Sequence, residues 1–346
     1  MYANSTVTIQ SFDHRTKAIA FVSGADAPDR EHAGTDLFEA CQRAHVKASA
    51  PGTGGPNGAR SESDRDDAPT LRSELRSGSR PVDVPVLAAA PAVLVGAFLL
   101  PEPVRQSLTF RYADPTLPTA FTAHYVHLDA GHLVANLLGY GLLAGVGYAL
   151  AVTSRRRRFF LAALATFCLA YPVALSALNL AVPRQAVGFG FSGVNMALLG
   201  VLPSLLAAFA RAQFFPRAST RALPAVFFLL IGWIAVLALP ASTSGLGLAG
   251  LAVAAAGLVL AAVYAASARD GSEPSFGAVV EAVVDTPGHG DLFAVGVVVL
   301  LAYPVVGFPA DPTAGGSVVN LYVHLLGFAL AFIGSYAALA TGVFEE

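Results

Sequence analysis

The fold class that this sequence predicts is all-α, a polytopic transmembrane helical bundle with eight spans, and three observations predict it. Of 346 residues, 55% are hydrophobic and only 13% charged, against about 25% charge in a typical soluble domain. The charge is also segregated. Residues 1–83 hold 10 Lys/Arg and 12 Asp/Glu, the other 263 residues hold 11 of each sign, and no lysine follows Lys47. Finally, eight apolar runs come near the roughly 20 residues that a helix needs to cross a bilayer. They lie at about 84–101, 130–151, 159–181, 191–210, 223–240, 246–267, 291–308 and 318–340.

Residues 1–83 read as a cytoplasmic, mostly disordered polar tail. Its first 30 residues hold no apolar core of the kind a secretory signal needs, so none is expected. Residues 49–80 are mainly Gly, Pro, Ser, Asp and Arg, which bury too little apolar surface to offset the entropy of ordering. The stretch Thr35–Lys47 can form a short helix with a weak apolar face. From residue 84 to 343 the chain reads as a membrane domain, whose first, fifth and seventh spans are short.

Basic residues orient it. Arg155, Arg156, Arg157 and Arg158 fall between spans two and three, and Arg211, Arg217 and Arg221 between spans four and five, so both loops are expected in the cytoplasm. Parity then puts both termini inside and the loops 102–129, 182–190, 241–245 and 309–317 outside, in a multi-pass protein of the plasma membrane. Two function classes fall away. With no basic excess, no nucleic-acid partner is expected. Cys41 and Cys168 are too few for a disulfide framework or a metal cluster.

Polar side chains inside apolar spans are costly and therefore informative. The main ones are His132 and Asn136 at the outer end of span two, Ser192 and Asn195 at the outer end of span four, and Asn320 and His324 at the outer end of span eight. His132 and Asn136 are one helical turn apart, so both can offer hydrogen-bond donors to one point. His127 sits at the mouth of span two, where it can order the preceding loop. Asn179, near the outer end of span three, reads as interhelical glue. Each residue has a structural reading of equal weight, including a His324 bonded to a neighbouring carbonyl; what singles them out is joint placement at one membrane face.

Two of these helices are expected to touch. From Gly193 the small residues Ala197, Gly200 and Ser204 continue at helical spacing, and from His324 so do Gly327, Ala331, Gly334 and Ala338. Small faces let membrane helices approach closely, which would bring Ser192 beside His324. Span six carries a similar stripe at Gly247, Gly250 and Gly257, so the pattern alone does not fix the pairing. A serine within reach of a histidine is the minimum for an activated hydroxyl nucleophile. Asn136, His132 and the Ser192 backbone N–H can serve the oxyanion. The outer halves of the spans hold no Asp or Glu to orient the histidine, which favours a dyad over a triad. Water needs a cavity open to the outside, which Ala186–Phe191 can line by dipping into the membrane.

Three segments, HLDAGHLVANLLGY (His127–Tyr140), GFSGVNMALLG (Gly190–Gly200) and VHLLG (Val323–Gly327), resemble the rhomboid family of intramembrane serine proteases in order and orientation. The resemblance implies a rhomboid-like protease domain over residues 84–343. Ser192 would be its nucleophile, His324 its base, and His132 and Asn136 its oxyanion donors, with His127, Gly190, Gly193 and Gly327 as supporting positions. It implies cleavage of transmembrane protein substrates near their outer end, and no metal or small-molecule cofactor.

The chain departs from the family pattern in four places. Met196 stands where bacterial members often carry Tyr, and Ala331 replaces the second glycine after the histidine. The first outer loop has Phe110-Arg111 instead of Trp-Arg. Eight spans exceed the usual bacterial six, although two insertions between the serine and histidine helices preserve parity. The alternative reading is a catalytically inactive rhomboid-like protein that binds transmembrane clients. A transporter or channel would be expected to show internal repeats or mid-membrane charges, and the sequence has neither.

Overall fold

The computed structural model describes residues 70–182, 185–216, 220–239, 245–268, 275–313 and 318–342. Most of the expected disordered tail, with its helix at Thr35–Lys47, lies outside the described residues. In chain order the helices are α1 (Leu71–Gly78), α2 (Asp83–Phe98), α3 (Glu102–Ser107), α4 (Leu117–Thr122), α5 (Ala130–Thr153), α6 (Arg157–Leu169) and α7 (Tyr171–Asn179). They continue as α8 (Ser192–Gln213), α9 (Leu223–Ala238), α10 (Gly245–Ala268), α11 (Phe276–Val284), α12 (His289–Gly307) and α13 (Leu321–Ala340). Two short strands, β1 (Phe110–Arg111) and β2 (Val187–Gly188), pair antiparallel with Phe110 opposite Gly188.

Among the described residues, six helices are long and apolar enough to cross a membrane: α5, α8, α9 with the turn before it, α10, α12 and α13. Two pairs pass the same test only together, α1 with α2 across an 84° bend and α6 with α7 across a 48° bend. The protein is therefore a multi-pass helical bundle. Span three, expected to be continuous, breaks after Leu169. Pro172 in the first turn of α7 supplies no N–H to the preceding turn, and its ring crowds the carbonyl four residues back.

The last part of the segment expected to be a disordered tail up to residue 83 is ordered instead. Residues 71–78 are helical because the Thr70 hydroxyl accepts the Ser73 N–H and caps the first turn. Glu74 on this helix accepts from Gln213 Nε2 at 3.3 Å and from His289 Nε2 at 3.0 Å, tying α1 to the end of α8 and the start of α12. The described residues accordingly form one unit. At the start of α2, Asp83 is 1% exposed. It is paired with Arg157 and accepts from Tyr148 at 2.5 Å. Arg157, expected simply in a solvated loop, thus locks α2, α5 and α6 together.

Helix α8 is the axis of the bundle. Of its apolar stretch 83% is buried inside the protein, against 17% for α10. Helix α13 packs along α8, with α5 and α12 on its other sides, whereas α9 and α10 pack mainly on each other. The α8–α13 contact uses the small stripes. A side chain at Gly200 would collide with the Phe328 carbonyl, and one at Gly327 with the Gly193 carbonyl. One turn deeper, Ser204 and Ser335 share a hydrogen bond of 2.9 Å.

The α13 stripe differs from expectation at one position. Gly334 faces open space, and Ser335 takes its place in the interface. The stripe of span six is occupied too: Gly250 and Gly257 seat α10 against α9.

Candidate active site

Ser192 is the first residue of α8, and the turn before it is set by Gly190, whose φ of 106° strains any residue with a side chain. A Cβ there would also come within 2.6 Å of the His132 ring. His324 lies in the first turn of α13, which Asn320 caps by accepting the Val323 N–H at 3.2 Å. Close packing of α8 on α13 then brings the Ser192 hydroxyl to 2.7 Å from His324 Nε2.

The other ring nitrogen defines the proton. His324 Nδ1 lies 2.6 Å from the carbonyl oxygen of Gly307, the last residue of α12. A carbonyl can only accept, so Nδ1 carries the hydrogen and Nε2 keeps its lone pair for the serine O–H. His324 is 4% exposed, and Phe308 stands edge-on to its ring at 5.9 Å. Met196 packs against Gly307, where any side chain would collide with its methyl group.

Asn136 and His132 face the same cavity of about 850 Å³ as Ser192 and His324, and Gly190 lines it as well. Asn136 donates Nδ2–H to the His132 carbonyl at 3.0 Å, which leaves its second N–H for the cavity. The His132 backbone N–H is held by Asp129, which caps α5 at 2.9 Å. As the start of a helix, Ser192 and its neighbours carry N–H groups without intrahelical acceptors. Ala186 and Val187, with Phe189 beyond β2, line the same cavity, as the sequence anticipates for this segment.

The other three supporting positions fall elsewhere. His127 is fully buried behind the cavity. Its Nε2 accepts the Phe191 N–H at 3.4 Å, and its carbonyl takes a bond of 2.7 Å from Arg105, so it joins α3 to the serine turn. Burial, with the neighbouring His132, pushes the His127 pKa down to about 3, which keeps the ring neutral as that acceptor role requires. Gly193 and Gly327 belong to the α8–α13 contact. Asn179, read from the sequence as interhelical glue, donates to the Tyr112 hydroxyl at 2.5 Å, in the loop after α3, and Asn320 at the start of α13 donates to the same oxygen at 3.2 Å.

Sequence reasoning misses three contributors. Gly307 acts through a backbone carbonyl, which leaves no signal in the sequence. Tyr112 and Tyr303 are not singled out by any pattern in the sequence. Among the described residues no group of three or more His, Cys, Asp or Glu side chains is placed to hold a metal ion.

No family model, curated protein or solved structure matches this chain. A hydroxyl already bonded to an unprotonated imidazole nitrogen, beside amide donors and in a cavity roomy enough for a peptide segment, is equipped for acyl transfer.

Proposed function

We propose that the protein is an intramembrane serine endopeptidase of the rhomboid type, which cuts transmembrane protein substrates near the outer membrane face through a Ser192–His324 dyad. The observation that carries this reading is the pair of bonds on His324. Gly307 holds the Nδ1 proton, and Nε2 accepts from Ser192 at 2.7 Å.

In this reading Ser192 Oγ attacks the scissile carbonyl carbon as its proton passes to His324 Nε2. The carbonyl π electrons move to oxygen, and the oxyanion is met by the Ser192 N–H, Asn136 Nδ2 and His132. On collapse the C–N bond breaks and His324 gives its proton to the leaving amine, so an acyl-serine remains. A water then attacks that ester, its proton goes to His324, and return of the proton to Ser192 Oγ frees the acid product. The Gly307 carbonyl keeps the ring in one orientation and offsets part of the charge on the imidazolium, a role carboxylates fill in triads.

The architecture proposed is a six-span core plus an inserted pair, eight spans in all, with both termini in the cytoplasm of a plasma-membrane protein. What supports α9 and α10 as the inserted pair is that they pack chiefly on one another, while α12 packs on α5 and α8 and delivers Gly307 to the site. The test is reconstitution with a reporter whose single span carries small and helix-destabilising residues near its outer end. Wild type should release two fragments and Ser192→Ala none. Equal cleavage by both overturns the proposal.

A further inference from the structure

Asn195 lies one turn after Ser192 on α8 and is 1% exposed. Its Nδ2 donates to Asn136 on α5, at 3.0 Å from the backbone oxygen and 3.2 Å from Oδ1. The hydroxyl of Tyr303 on α12 lies beside the same amide, and a side chain at Gly139 would collide with that hydroxyl and press on the amide. The glycine thus leaves room for the three groups to meet. Tyr303 and Gly307 are four residues apart, so one face of α12 reaches both halves of the site: the Asn136 amide through Asn195, and His324 directly.

The orientation of an amide decides what it can do. With Oδ1 of Asn136 accepting from Asn195 and one Nδ2 hydrogen given to the His132 carbonyl, the other hydrogen is left for the cavity. If the Asn136 amide turned over, its NH₂ would face the NH₂ of Asn195 and its oxygen would face the His132 carbonyl. Both contacts are repulsive. The cavity would then be offered an oxygen where an oxyanion needs a donor.

We infer that Asn195, packed beside Tyr303, is a positioning residue that fixes Asn136 with its N–H toward the oxyanion. This rests on the proteolytic reading of the site. The pair contributes to turnover through Asn136 alone and touches neither the substrate carbonyl nor the serine.

The test is a double-mutant cycle on the reconstituted full chain with the same reporter, reading kcat and KM separately. Asn195→Val should lower kcat about 5- to 30-fold with KM unchanged, and should cost nothing further when Asn136 is already Ala. Tyr303→Phe, which changes no packing volume in α12, should lower kcat about 2- to 5-fold and should likewise be silent in the Asn136→Ala background. It reads the same linkage if Asn195→Val fails to fold. Equal losses in both backgrounds, or no loss in either variant, overturn the inference while leaving the dyad standing. A wild-type chain that does not cleave overturns the proteolytic reading, and the inference falls with it.

Discussion

Gly307 and His324, on different helices, are joined by a hydrogen bond of 2.6 Å from the imidazole Nδ1–H to the glycine carbonyl. That bond selects the tautomer in which Nε2 faces Ser192 with a free lone pair. A backbone carbonyl cannot be ionised or mutated away, so the base is oriented without a buried carboxylate and its desolvation cost.

Removing the base should remove general acid–base catalysis and little else. We expect His324→Gln to lower the cleavage rate about 10²- to 10⁴-fold. Progress curves with the reporter substrate measure this. A rate within twofold of wild type would show that another group accepts the serine proton.

Asn136 is expected to act in the transition state. Asn136→Ala should lower kcat about 10²- to 10³-fold while KM changes little, because the amide meets charge that develops only as the carbonyl is attacked. A raised KM with unchanged kcat would move Asn136 to ground-state binding.

The helix contact that builds the dyad can be probed from outside the cavity. Gly200→Val drives a side chain into the Phe328 carbonyl, a backbone atom that cannot swing away. Overpacking of this kind costs about 1–3 kcal/mol or more, so the unfolding midpoint in detergent and the activity should both fall. Gly334→Ala faces open space and should leave both within error. Similar behaviour of the two variants would argue against the α8–α13 packing described.

Two histidines outside the spanning helices make stability depend on pH. Burial pushes His124 down to about 4, and burial with the neighbouring His132 pushes His127 down to about 3, from an ordinary value of 6.5. Unfolded, both rings take up protons below about 6.5. Folded, they do not until pH 4 or 3. The unfolded chain therefore binds more protons across that window, and stability falls as pH drops from about 6.5 toward 4. Thermal midpoints across the window should decline less steeply for His124→Gln than for wild type; equal slopes would remove His124 from the account.

Much of this architecture was legible in the residues. Hydropathy marked the long helices, since lipid leaves a spanning backbone few other ways to satisfy its polar groups, and the small stripe from Gly193 to Ser204 located the surface on which α13 packs. Glu74 shows what was not legible: its segment looks disordered by composition, yet a cap at Thr70 and partners from α8 and α12 hold it helical. Gly307 was hidden for another reason, since no side chain reports where a carbonyl points. Asn195 could be noticed as a polar residue in a span, but its partners Asn136 and Tyr303 come from helices whose relative rotation the sequence does not state.

The most direct measurement is labelling of the membrane-embedded chain with a serine-reactive fluorophosphonate, followed by mass mapping of the adduct. Wild type should carry one adduct, on Ser192, and both Ser192→Ala and His324→Ala should carry none. Equal labelling of all three chains, or an adduct on another serine, would contradict the assignment of Ser192 as a nucleophile activated by His324.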